Sequence, residues 1–295
     1  MYKRQIQGRR DEVVICSRDL AHTKPEMAPA IDTSLQTLGT DYLDVYQCHE
    51  LHQPQDLDEC LAPGGAFEAL DEARDAGKVR FIGMTSHNPD VVMAGLETGI
   101  MDVVLVMLNY VNRRMVEEVL PRAAADNVGV AVIKPLGGCL LAAHADLALR
   151  WVLSQQGVHT TIPGMWRAFE VEANAMVGRD FAPLRDDEAA VLDEMAEARE
   201  PDYCRLCYRH HVCPHGVEIS RLMIMDVLYQ RHGVAEALER GWDADVATIE
   251  RCFECDIRDE CAASCGFGID IPVALEGIYR TFGPVLIRHR ELVEK

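Results

Sequence analysis

Seven of the eleven cysteines lie between Cys204 and Cys265, in two groups that read Cys204-Arg-Leu-Cys207-Tyr-Arg-His210-His211-Val-Cys213-Pro and Cys252-Phe-Glu-Cys255-Asp-Ile-Arg-Asp-Glu-Cys261-Ala-Ala-Ser-Cys265. Thiols at this density are ligands or disulfides rather than packing. Met1-Tyr-Lys-Arg-Gln-Ile-Gln-Gly8 begins no apolar signal segment and runs into Arg9-Arg10-Asp11-Glu12. That start predicts a reducing, cytoplasmic compartment, and so metal ligands rather than disulfides.

The spacings Cys204-x2-Cys207 and Cys252-x2-Cys255 let two thiolates reach one metal from a single turn, with further ligands arriving from Cys213, Cys261 and Cys265. Proline directly after Cys213 is the iron–sulfur form of such a run, and His210 stands where a C-x2-C-x2-C-x2-C-P run would carry its missing cysteine. The expectation is one or two 4Fe-4S clusters, with zinc as the alternative. Two four-iron clusters need eight ligands, so one histidine among His210, His211 and His215 joins the seven cysteines, or one cluster is absent. His211 and His215 read as solvated turn residues. In two-cluster ferredoxins the last cysteine of each run binds the other run's cluster. That rule pairs Cys204, Cys207, His210 and Cys265 against Cys252, Cys255, Cys261 and Cys213.

A chain of 295 residues with 48 % hydrophobic content can bury one large core beside a smaller domain. The longest apolar region, residues 128–153, is broken by Lys134, Pro135, His144, Asp146 and Arg150, so no membrane helix is expected. A net charge of −19 repels nucleic-acid phosphates and anionic lipid. Acidic stretches such as Asp186-Asp-Glu188 and residues 194–200 read as solvated surface that can also dock a basic redox protein.

From Glu12 onward short apolar runs alternate with helical stretches, the rhythm of parallel strands joined by helices. Strands are predicted at Val13–Cys16, Leu43–Cys48, Val79–Met84, Val103–Met107, Gly129–Ile133 and His159–Ile162, each apolar enough to be covered on both faces. Helices are predicted at Pro25–Leu38, Gly65–Ala76, Pro89–Thr98, Arg113–Ala125, Ala145–Gln155 and Glu170–Val177. No G-x-G-x-x-G follows the first strand, which argues against a doubly wound dinucleotide fold. Polar residues instead follow several strands: Ser17-Arg18, His49-Glu50, Thr85-Ser86-His87-Asn88, Asn109-Tyr110, Lys134-Pro135 and Pro163-Gly164. Chemistry at many strand ends is the barrel arrangement.

Asp41-Tyr-Leu-Asp-Val-Tyr-Gln-Cys-His49, Ala76-Gly-Lys-Val-Arg-Phe-Ile-Gly-Met-Thr-Ser-His-Asn88, Leu108-Asn-Tyr110, Val130-Ala-Val-Ile-Lys-Pro-Leu-Gly-Gly138, Ala148-Leu-Arg-Trp-Val-Leu-Ser154 and Ile162-Pro-Gly-Met165 occur in the order and spacing of the aldo/keto reductases. The chain resembles that family over residues 8–192, and most closely its branch with a C-terminal ferredoxin-like extension. The resemblance implies an α/β fold of (β/α)8 TIM-barrel type that passes a hydride between NADP(H) and a small-molecule carbonyl or alcohol. His49 matches the family's substrate-orienting histidine. Arg18 stands where its lysine belongs, keeping the charge on a bulkier planar group that never deprotonates. The two strand–helix units that carry the family's aspartate and tyrosine have no counterpart before Met1, so the barrel is expected to be N-terminally truncated to about six strands. Its open edges would need cover from a longer native chain, the C-terminal region or a second copy in an oligomer. Tyr46 and Tyr110 read as packing residues.

For the nucleotide, the resemblance places Thr85 and Ser86 at a nicotinamide-amide pair and Leu105 where a glutamine belongs. Asn109 and Lys134 fall at strand ends near phosphate or substrate. Pro163, Gly164, Arg167 and Asn174 fall at the adenine end, where Arg167 can pair with a ribose phosphate. His87 and Asn88 are expected to cap the helix entered at Pro89. The expected division is a barrel over residues 1–200 and, from Pro201, an α-helical ferredoxin-like domain over 201–295. Helices are predicted there at 218–239, from Asp245, and at 272–282, in a domain held chiefly by its metals. A redox partner protein is the partner such a domain implies.

Overall fold

The computed structural model describes residues 2–200, 202–208 and 213–293. It divides into two compact units, Met1–Gly137 with His144–Ala189, and Gly138–Ala143 with Ala190–Lys295. The division falls ahead of Pro201, within a helix that the sequence pattern did not mark.

Along the first unit, α1 (Tyr2–Ile6) precedes β1 (Cys16–Asp19), α2 (Lys24–Leu38), β2 (Leu43–Cys48), α3 (Pro54–Leu61), α4 (Ala66–Asp75), β3 (Val79–Ser86) and α5 (Pro89–Glu97). There follow β4 (Val103–Met107), α6 (Arg114–Glu118), α7 (Leu120–Ala125), β5 (Gly129–Ile133), α8 (Ala145–Leu153), β6 (Thr160–Ile162), α9 (Ala168–Arg179) and α10 (Asp186–Arg199). The strands form one all-parallel sheet in the order β1-β2-β3-β4-β5-β6. Sequential order with every crossover helical is the connectivity of a (β/α) barrel wall.

Side chains alternate across each strand. On one face Tyr46, Cys48, Ile82, Met84, Val104, Val106, Val130 and Val132 pack in a single core with Met27 and Ile31 of α2, Phe67 and Leu70 of α4, and Val92 and Leu96 of α5. The Tyr46 hydroxyl lies 3.2 Å from Ser34 Oγ on α2. β2 is buried at every position, but the outer strands are not: β1 alternates exposed and half-buried residues, and Ile162 of β6 is 48 % exposed. Two-sided cover is complete for β2 and breaks even in the inner β3, where Phe81 is 44 % exposed.

β1 begins three residues later than its apolar run suggests. The cause is Asp44, whose buried carboxylate accepts the Ile15 amide at 2.8 Å and pairs with Arg10 at 2.8 Å and Arg80 at 3.0 Å. Regular pairing starts only beyond that contact, with Cys16 against Val45. Gly83 is required where β3 meets β4, since a Cβ there would stand 1.7 Å from Val103 O. The single helix expected at 113–125 is broken into α6 and α7, because Pro121 has no N–H to donate back.

In the second unit, α11 (Ile219–Leu222), α12 (Met225–Glu239), α13 (Trp242–Ala247), α14 (Arg258–Ala263) and α15 (Ile271–Val293) replace the fewer helices expected. Val217, Leu222, Met225, Trp242, Val246, Ile249, Leu275, Phe282 and Leu286 bury one another in a core of its own. The apolar packing is thus larger than the sequence reading allowed. Among the described residues no helix is long and apolar enough to cross a membrane.

Candidate functional site

The C-terminal ends of the strands gather one group of polar side chains. His49 directly follows β2, and its amide donates to Asp19 O at the end of β1 at 2.8 Å. Its Nδ1 lies 2.8 Å from Oγ1 of Thr85, which also accepts the Glu50 amide at 2.8 Å. Thr85 is 2 % exposed. Its one hydroxyl proton is therefore donated to Nδ1, and the His49 proton resides on Nε2. Burial lowers the His49 pKa most; Glu50 opposes that shift, while Arg18 and Lys134 add to it. The Glu50 carboxylate is 3.6 Å from Nε2, beyond hydrogen-bond length.

Arg18 lies within β1 rather than beyond it, paired in register with Gln47. Strand alternation puts Arg18, Gln47, His49 and Thr85 on the face away from the α2 core, and Asp19 on the other. Asp19 Oδ1 is engaged by the Ala21 amide at 3.0 Å.

Several nucleotide candidates are occupied by local structure. Ser86 Oγ accepts the Asn88 amide at 3.0 Å, on the face opposite to Thr85. Asn109 is fully buried; its Oδ1 accepts from the Val111 and Asn112 amides and its Nδ2 donates to Lys134 O at 3.2 Å. It thereby ties the β4 loop to Lys134, whose φ of 52° is left-handed. Asn88 caps α5 by accepting the Asp90 amide, as expected, and His87 before it stacks on buried His52 at 4.5 Å. Burial pushes His52 down to about 4. Pro163, Gly164 and Arg167 follow β6, at the opposite edge of the sheet from Arg18, with Asn174 inside α9.

In the second unit Cys213, Cys252, Cys255 and Cys261 line one small cavity. Cys204, Cys207 and Cys265 line another. Each cavity thus takes the terminal cysteine of the other run. Leu206 and Tyr208 adopt left-handed φ values of 50° and 55°, turning the chain so that the Leu206 amide donates to Cys204 Sγ at 3.5 Å. Burial pushes the Cys204 and Cys261 thiols up to about 11, so thiolates there need nearby positive charge. Arg205, which the sequence reading did not single out, supplies some. Its side chain is 3 % exposed, bonded to Glu200 Oε1 at 2.9 Å and stacked 4.0 Å over Phe267. The signal for it was an arginine inside a Cys-x2-Cys pair. His215 is an exposed turn residue, as expected, and its Nε2 lies 3.1 Å from Asp256 Oδ1. His210 and His211 lie outside the described residues.

Residues 1–146 match the profile of the aldo/keto reductase family. L-galactose dehydrogenase of Arabidopsis thaliana is 27 % identical over 206 residues, covering 58 % of this chain and 63 % of that protein. NADH-specific methylglyoxal reductase of Escherichia coli is 26 % identical over 214 residues, covering 58 % and 64 %. The chain therefore spans just under two thirds of the length of these relatives. Among solved structures, the holo form of an aldo-keto reductase from Bacillus halodurans superposes with a TM-score of 0.56 at 22 % identity, over 67 % of this chain and 77 % of that one. Sequential parallel strands and these likenesses agree: residues 1–146 of this chain are of the aldo/keto reductase family.

Proposed function

We propose that the protein is a cytoplasmic iron–sulfur oxidoreductase. In this reading the barrel mouth handles a small carbonyl or alcohol against a nicotinamide, and the C-terminal unit exchanges single electrons with a redox partner through one or two 4Fe-4S clusters. The observation that carries it is the crossing of Cys213 and Cys265 between the two cavities, the ligand exchange of two-cluster ferredoxins. Four sulfurs around one zinc at about 2.3 Å would lie roughly 3.8 Å apart. Among the described residues the one trio of possible ligand atoms within 4.8 Å of one another is that of His215, Cys255 and Asp256, which keeps zinc as the alternative. Cys213, Cys252, Cys255 and Cys261 would hold one cluster. Cys204, Cys207 and Cys265 would hold the other, with His210 as the fourth ligand. A bound cluster supplies one-electron steps. The chain contributes the Leu206 amide on Cys204 sulfur, the Arg205 charge, and the apolar Ile219 and Leu275 that exclude water.

At the mouth, a substrate carbonyl oxygen would accept the Nε2–H of His49, polarising the carbon towards hydride from NADH or NADPH; the resulting alkoxide then takes a proton. One observation favours a second reading. Tyr46 is bonded to Ser34 on the helix side and Tyr110 is fully buried, so neither is placed as the donor of that proton. A barrel without that donor would bind its ligand or partner and not turn it over.

Anaerobic purification followed by iron and acid-labile sulfide assays tests the clusters; zinc without sulfide would sink them. With clusters intact, oxidation of NADH or NADPH by methylglyoxal supports turnover, and its absence across a carbonyl panel supports the binding role. His210→Ala should lower the iron content and His210→Cys should preserve it.

A further inference from the structure

We infer that the mouth is built for an anionic carbonyl compound, a 2-oxo carboxylate, with Arg18 holding the carboxylate and His49 the adjacent carbonyl oxygen. The inference rests on the reading of the mouth as a carbonyl site and deepens it.

Three observations lead there. First, Arg18 makes no side-chain hydrogen bond or ion pair among the described residues, whereas Arg10, Arg74, Arg80, Arg114, Arg122 and Arg150 all pair with carboxylates. Arg167, Arg179 and Arg199 likewise lack a carboxylate partner among the described residues, but Arg18 stands on the strand beside the one that leads into His49. Second, Arg18 is in register with Gln47, which places it on the same face as His49 and about 6–7 Å below it along the strand. The reach of an arginine side chain spans that interval. Third, the His49 proton is fixed on Nε2 by Thr85, so the imidazole presents a donor and not an acceptor to whatever enters.

The nearby acids do not cancel this arrangement. Asp19 alternates onto the opposite face and is held by the Ala21 amide. Glu50 is half-exposed and 3.6 Å from Nε2, so a ligand oxygen can take its place. Lys134 adds a second positive charge, which His49 and His52 both feel. A carboxylate matches the planar guanidinium fork through two parallel hydrogen bonds, and a carbonyl one carbon away lies within reach of the imidazole.

The test uses the full chain with its clusters, titrated calorimetrically with pyruvate and with butane-2,3-dione, which keeps the paired oxygens and lacks the charge. Pyruvate should bind, and bind more tightly than the dione. Arg18→Gln should weaken pyruvate about tenfold or more, the scale of losing a charge-assisted pair, and leave the dione unchanged. Arg18→Lys should restore part of the loss, since it keeps charge without the fork. Because Arg18 is exposed and unpaired, the variants should melt as the parent does, and a thermal scan checks this. Pyruvate affinity unchanged in Arg18→Gln, equal affinity for both ligands, no binding of either, or displacement of pyruvate by equimolar inorganic phosphate would each overturn the inference. Failure of the reductase reading is separable: pyruvate binding lost on Arg18→Gln, without nicotinamide oxidation, removes the turnover and leaves the anion site standing.

Discussion

The hydroxyl of Thr85, 2.8 Å from Nδ1 of His49 and 2.8 Å from the Glu50 amide, decides which imidazole nitrogen carries the proton. Thr85→Val keeps the shape and removes both bonds. The Glu50 amide then loses its acceptor, at a cost of about 1–3 kcal/mol in unfolding free energy, read from denaturant curves. Nitrogen-15 spectra of the His49 ring should shift from one dominant tautomer to a mixture. Thr85→Ser should restore both.

His52 gives the fold a pH dependence. It is 6 % exposed, and burial, aided by the Lys134 charge, lowers its pKa from about 6.5 to about 4. The unfolded chain therefore binds a proton that the folded chain refuses. Stability is full above pH 6.5, falls as the pH drops, and levels off near 4, for a loss on the order of 3 kcal/mol. His52→Asn should flatten that slope in denaturation curves taken at successive pH values, even if it lowers the plateau.

Much of the sheet was legible because buried parallel strands are apolar runs, as Leu43–Cys48 and Val103–Met107 show. What was not legible came from single tertiary contacts. The start of β1 depends on where the Asp44 carboxylate meets the Ile15 amide, a contact across 29 positions of sequence. The His49–Thr85 bond is likewise a product of β2 and β3 lying side by side. The second unit's core was missed because Leu222, Trp242 and Phe282 come from separate helices that share no stripe. The cysteines were the reverse case: their chemistry reads from spacing, while Arg205 needs the fold to show that it is buried.

Gly83 is the tightest point of the sheet. Any side chain would drive its Cβ into Val103 O, 1.7 Å away, where backbone cannot yield without parting β3 from β4. Gly83→Ala should destabilise the first unit by several kcal/mol or leave it unfolded. Gly99→Ala, where nothing lies within 4 Å of the added carbon, should cost only the strain of a left-handed φ, about 1 kcal/mol. Thermal midpoints of the two variants measure the difference.

Cys261 and Cys265 are four positions apart, yet they line different cavities, Cys261 with Cys213, Cys252 and Cys255, and Cys265 with Cys204 and Cys207. If clusters fill both, serine at either position should remove about half of the iron while leaving a different cluster behind. The residual electron paramagnetic resonance spectrum of reduced Cys261→Ser should then match that of Cys213→Ser, its distant cavity neighbour. That of Cys265→Ser should match Cys207→Ser. Identical residual spectra for Cys261→Ser and Cys265→Ser would mean that each run serves its own metal, and that the crossing of the two runs does not govern ligation.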